Sequence, residues 1–124
     1  MLNITEGVKR TPVKCVIYGP ESIGKSTLAS QFPGSLIVDV ENGTNALPVK
    51  RIRCDKSWEE LLAVVREIID TPNLCKTIVI DTADWAEYLC NKYVCDKYTK
   101  VNIDDFGYGK GYTYLTEEFK KLLD

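Results

Sequence analysis

The sequence predicts an α/β fold: a mostly parallel sheet in a three-layer αβα arrangement. Three observations carry this. An apolar run, Val13 to Tyr18, leads straight into a glycine-bounded loop and then a helical segment. Two further apolar runs, Leu36 to Val40 and Thr77 to Ile80, are each followed at once by an acid, Glu41 and Asp81. Helical patterns separate the runs, and that alternation belongs to parallel sheets with helical crossovers.

The loop reads Gly19, Pro20, Glu21, Ser22, Ile23, Gly24, Lys25, Ser26, which satisfies G-x-x-x-x-G-K-[ST]. Gly19 and Gly24 let the backbone curl so that successive N–H groups point inward as an anion nest. The helix that follows, predicted over about 24–32 and including Thr27, adds partial positive charge beneath a phosphate. By the motif's logic Lys25 reaches the β and γ phosphates of a nucleotide triphosphate, and the Ser26 hydroxyl holds Mg²⁺. Asp81 falls at the C-terminal end of its strand, where open α/β sheets place ligand chemistry. It is the expected water-mediated Mg²⁺ ligand.

The other elements follow in order. Pro33-Gly34 stops the first helix. Asn42-Gly43 marks a turn after the second strand. Residues 49–54 (VKRIRC) alternate apolar and basic, which fits a short edge strand with Lys50, Arg51 and Arg53 on a solvated face. Ser57 and Glu60 form a capping-box pattern opening a helix over 58–69. Its apolar face carries Leu61, Leu62, Val64, Val65, Ile68 and Ile69. A helix over about 83–98 spaces Trp85, Tyr88, Leu89 and Tyr93 as core packing does. Residues 102–111 read as a glycine-rich loop. Tyr108, Lys110 and Tyr112 there have the chemistry to stack on single-stranded DNA, although packing back on the domain is the favoured reading. The last helix, about 114–123, sets Leu115, Phe119, Leu122 and Leu123 on one side.

Bulk properties narrow the class. The 124 residues suit one domain, 1–124, with 44% hydrophobic and 27% charged residues and a net charge of −2. That balance is not one of a strongly basic nucleic-acid binder. No apolar run reaches membrane-span length, and residues 1–10 lack a signal peptide's apolar stretch, so a cytoplasmic site in a bacterium or phage-infected cell is expected. The five cysteines include no C-x-x-C pair and the chain has no histidine. The cysteines therefore read as reduced small hydrophobes, and hydrolytic chemistry must rest on carboxylates and a metal.

GPESIGKSTL followed by LIVDVE resembles the RecA-type recombinases of the P-loop NTPase superfamily. With TIVIDT and the later Gly-Tyr stretch, the chain is more closely similar to bacteriophage RecA-like nucleotide-binding proteins of single-strand annealing. The resemblance implies an ATP hydrolase with Mg²⁺, in which Glu41 polarises the attacking water beside Lys25. It implies single-stranded DNA and a second copy of the chain as partners. It also implies one more core strand, between the phosphate-loop strand and the Asp81 strand, and a polar sensor. Neither is found in the sequence, so a C-terminally truncated core is expected, or else a compact variant in which those two strands pair directly. Two other readings share the loop: a non-catalytic nucleotide-binding or assembly module, and a small-molecule kinase. A kinase needs an arginine-rich lid, and Arg10, Arg51, Arg53 and Arg66 do not cluster in one loop.

Overall fold

Leu36, Ile37 and Val38 are apolar on both strand faces, and only a strand covered on both faces can carry such a run. The computed structural model, which describes residues 2–8, 12–44, 47–107 and 109–123, places them in the central strand β1 (Ser35–Asp39). β2 (Arg51–Arg53) flanks it on one side and β3 (Thr77–Asp81) on the other, both parallel to it. Asp39 stands opposite Asp81 in this register, so the two strand ends open at the same edge of the sheet.

The described residues form four α-helices, α1 (Lys25–Ser30), α2 (Trp58–Asp70), α3 (Ala83–Lys97) and α4 (Lys110–Leu123). Leu36, Val38 and Val40 pack into one core with Trp58, Leu61 and Val65 of α2, Leu89 and Val94 of α3, and Leu115 of α4. Ile37 alternates to the opposite face, where α1 lies against β1 and β3. The Ser57 hydroxyl caps α2 by accepting from the Glu60 N–H at 3.1 Å. A return bond from the Glu60 side chain is not among the described hydrogen bonds. Ile69 of the predicted apolar face is exposed.

Residues 13–18, expected as the first strand, join no ladder. Val13 and Tyr18 are 89% and 90% exposed. The segment runs beside the free edge of β3 across a cavity of about 520 Å³, so the direct pairing of a compact variant is not formed. Apolar content alone does not make a strand; a partner at hydrogen-bonding distance is needed.

Three other expectations change. Trp85 and Tyr88 are exposed and meet each other edge to face at 5.6 Å, while Leu89 of the same helix is buried. Arg51 is half-buried and not on a solvated face. Its guanidinium donates to the Thr44 hydroxyl and carbonyl, at 3.1 and 2.9 Å, and to the Leu47 carbonyl. Finally, the 102–111 loop contains a 3₁₀ turn at Ile103–Phe106, and α4 begins at Lys110. Gly111 reads as a loop signal but is a packing residue. A Cβ there would collide with the Ile103 carbonyl oxygen. Tyr112 donates its hydroxyl proton to Asp104 at 2.8 Å, and Tyr108 lies outside the described residues.

A buried acid ties α4 to α2. Glu118, 7% exposed, accepts from the Trp58 indole N–H at 2.9 Å and pairs with Lys121 at 2.9 Å. Burial pushes its pKa up, but the bonds from Lys121 and Trp58 outweigh that and leave it below the ordinary glutamate value. A depressed folded pKa gives stability that is present above the unfolded value and lost as pH falls through the folded one. The melting temperature is expected to drop as pH falls below about 4, and to drop less in Glu118→Gln. Circular dichroism melts across that range check it. Cys54, Cys90 and Cys95 are core residues, whereas Cys75 is half-buried and Cys15, expected as a small hydrophobe, is exposed; burial, with nearby acids, raises Cys54 to about 11 and Cys90 to about 12.

Candidate nucleotide site

The loop at 19–24 owes its shape to two left-handed residues. Ser22 has φ 61° and Gly24 has φ 106°, the second a value that a side chain strains to adopt. Gly24 is the N-cap of α1 and has no side chain to offer, so the first N–H groups of the helix stay free to face an anion. With only six residues, α1 has a weak dipole. The charge at this end comes mainly from Lys25. Its ammonium donates to the Gly19 carbonyl and, at 3.1 Å, to the Pro20 carbonyl, so it lies over the loop's own mouth. Pro20, Glu21, Ser22 and Ile23 line the exposed outer turn of that loop, and Thr27 lies on the exposed side of α1.

Ser26 and Asp81 meet, although 55 positions separate them. The Ser26 hydroxyl donates to Asp81 Oδ2 at 2.5 Å. The first turn of α1 delivers one and the C-terminal end of β3 the other. Lys25, Ser26, Asp81 and Asp84 all line the cavity between residues 13–18 and β3. A hydroxyl and a carboxylate side by side are hard oxygen donors of the kind Mg²⁺ takes. Among the described residues no group of three or more His, Cys, Asp or Glu side chains could hold a metal unaided.

Glu41 arrives from the neighbouring strand. β1 ends at Asp39, Val40 donates its N–H to the Asp81 carbonyl at 2.7 Å, and the exposed Glu41 carboxylate accepts from the Thr82 hydroxyl at 3.3 Å. The register of β1 on β3 thus sets Glu41 beside the Asp81–Thr82 corner, rather than beside residues 13–18.

Two residues that motif reasoning passed over hold this corner. Asp39 is 1% exposed and Thr44 is fully buried. Burial raises the Asp39 pKa, but the Thr44 hydroxyl and the N–H groups of Thr44, Gly43 and Asn42 overcome that and lower it. The sequence signal was present in Asp39 followed by Asn42-Gly43-Thr44, the composition of a turn in which an acid accepts backbone N–H bonds.

A family model described as AAA domain matches residues 11–124. Neither the curated proteins nor the solved structures yielded a match to the chain. Because the family match runs from the loop through both acids to the last helix, the chain belongs to the AAA domain family, a family of nucleotide-binding P-loop NTPases.

Proposed function

We propose that the protein hydrolyses ATP with Mg²⁺ and that it serves DNA recombination or single-strand annealing of the phage RecA-like kind. The observation that carries the hydrolase reading is the 2.5 Å bond between Ser26 and Asp81, with Lys25 on the same cavity and Glu41 accepting from Thr82 of its lining. Gly19 to Thr27 would wrap the triphosphate, and the Lys25 ammonium would leave its loop carbonyls for the β and γ oxygens. Mg²⁺, when bound, neutralises charge that develops on the transferring phosphoryl group. Ser26 would hold it directly and Asp81 through water. Glu41 would orient the attacking water and accept its proton.

The kinase alternative has less support. Arg51 is committed to Thr44 and Leu47, and Arg53 to Asp55 at 2.9 Å. Arg10 lies outside the described residues. The recombination role rests on the sequence resemblance, and a second copy of the chain and single-stranded DNA are the partners it names. Among the described residues no helix is long and apolar enough to cross a membrane.

Phosphate release from MgATP, measured with and without single-stranded DNA, tests both levels. Hydrolysis stimulated by DNA supports the full proposal. Hydrolysis that ignores DNA leaves only the NTPase, and binding without hydrolysis leaves a nucleotide-binding module. For the metal assignment, Asp81→Asn is expected to weaken Mg²⁺ affinity in the nucleotide complex by about 10- to 100-fold, as loss of an outer metal partner does. Metal-free nucleotide binding should change little. Calorimetry with Mg²⁺ and with a chelator makes the comparison, and equal losses in both would reject the assignment.

A further inference from the structure

We propose that Asp39 is the positioning residue for Glu41, an inference that rests on the hydrolase reading above. The Glu41 side chain is exposed, so no packing fixes where its carboxylate stands. Its backbone, by contrast, is held on both sides. On one side Val40 donates to the Asp81 carbonyl at 2.7 Å. On the other, Asn42 donates its N–H to Asp39 Oδ1 at 2.6 Å.

Asp39 does more than accept that one bond. Oδ1 also accepts from the Gly43 N–H at 3.2 Å, and Oδ2 accepts from the Thr44 N–H at 3.1 Å and the Thr44 hydroxyl at 2.5 Å. Four donors converge on one buried carboxylate, which is rigid, charge-assisted bonding. The turn it closes includes Asn42 at φ 64°, a left-handed conformation that asparagine adopts only at some cost. Arg51 reaches from β2 to grip the Thr44 carbonyl from outside the turn. Without the carboxylate, the three N–H groups lose their acceptor and Asn42 loses what holds it left-handed. Glu41 would then be held only by the Val40 anchor and the 3.3 Å bond from the exposed Thr82 hydroxyl.

The chemistry makes such a pivot matter. A water-orienting carboxylate works only within a narrow geometry, and a misplacement of about 1 Å can cost about 100-fold in rate. Nucleotide binding uses Lys25, Ser26 and the loop N–H groups, none of which touches Asp39. The role therefore separates turnover from binding.

The test uses the full chain and a double-mutant cycle of Asp39→Asn with Glu41→Gln. The amide keeps one acceptor oxygen and sets an NH₂ group against donors at the other position. Asp39→Asn is expected to lower kcat about 100-fold with KM for MgATP and affinity for a non-hydrolysable ATP analogue unchanged. In a Glu41→Gln background it should cost less than about twofold, because residues acting as a unit are not additive. Thr44→Val, which removes only the hydroxyl, gives a smaller loss with the same non-additivity, and it serves if Asp39→Asn does not fold. Thr44→Ser should restore the rate. Backbone hydrogen exchange at Asn42, Gly43 and Thr44 reads the turn without any activity, and it should quicken in Asp39→Asn. Unchanged exchange, a wild-type kcat, or an equal fold-loss in both backgrounds overturns the proposal while hydrolysis by the unmodified chain keeps the hydrolase reading intact. If the unmodified chain does not hydrolyse ATP, the hydrolase reading fails, and the positioning role falls with it even where exchange reports a tightened turn.

Discussion

Lys25→Ala is expected to weaken MgATP binding by about 10- to 100-fold, the range set by losing hydrogen bonds to a charged group. Lys25 is the one cation the phosphate-loop motif supplies, and its ammonium already lies over the loop, bonded to the Gly19 and Pro20 carbonyls. Those bonds are ones a triphosphate can replace with charged and stronger ones. The six-residue α1 cannot make up the loss through its dipole. The effect should shrink down the series ATP, ADP, AMP as the phosphates that Lys25 reaches are removed. Titration calorimetry with the three nucleotides measures it. Equal affinity of the variant and the parent for MgATP would reject the assignment of the loop.

That series reads out a site whose local parts were legible in the sequence and whose assembly was not. The loop, the capped α2 and the β3 strand are coded by neighbours in sequence: two glycines and a lysine, Ser57 followed by Glu60, and a β-branched run ending in Asp81. Their placement needed nothing beyond local periodicity and turn chemistry. Residues 13–18 show the opposite case. Their apolar pattern matches a strand, but pairing is a property of two segments, and among the described residues β3 pairs only with β1. Gly111 misled for a related reason. Glycine signals a loop when only its backbone freedom is weighed, whereas here it admits the Ile103 carbonyl against a helix.

The buried polar groups were the least legible. The residue type of Asp39 and Glu118 gives no local signal of burial. Each is buried because donors reach it: Thr44 across a local turn, and Trp58 from another helix. A buried carboxylate is tolerable only when so satisfied. For Glu118 the partner can be recognised only once the chain is folded, because Trp58 and Glu118 are 60 residues apart.

Glu41→Gln carries the second large effect and bears most on mechanism. The substitution keeps the shape that lets the Thr82 hydroxyl donate to position 41, now to an amide oxygen, so the corner of β1 and β3 should stand. What is lost is the negative charge and the capacity to take a proton from water. The expected fall in kcat is about 10²- to 10⁴-fold, the usual contribution of a general base, with nucleotide affinity nearly unchanged because no loop contact is touched. Single-turnover hydrolysis beside equilibrium binding separates the two. A wild-type rate would reduce Glu41 to an exposed acid hydrogen-bonded to Thr82. The next carboxylate is then Asp84, which sits in the first turn of α3 and lines the same cavity as Lys25, Ser26 and Asp81. Asp84→Asn would in that case carry the loss, since the chain has no histidine and Asp84 is a carboxylate on the same cavity.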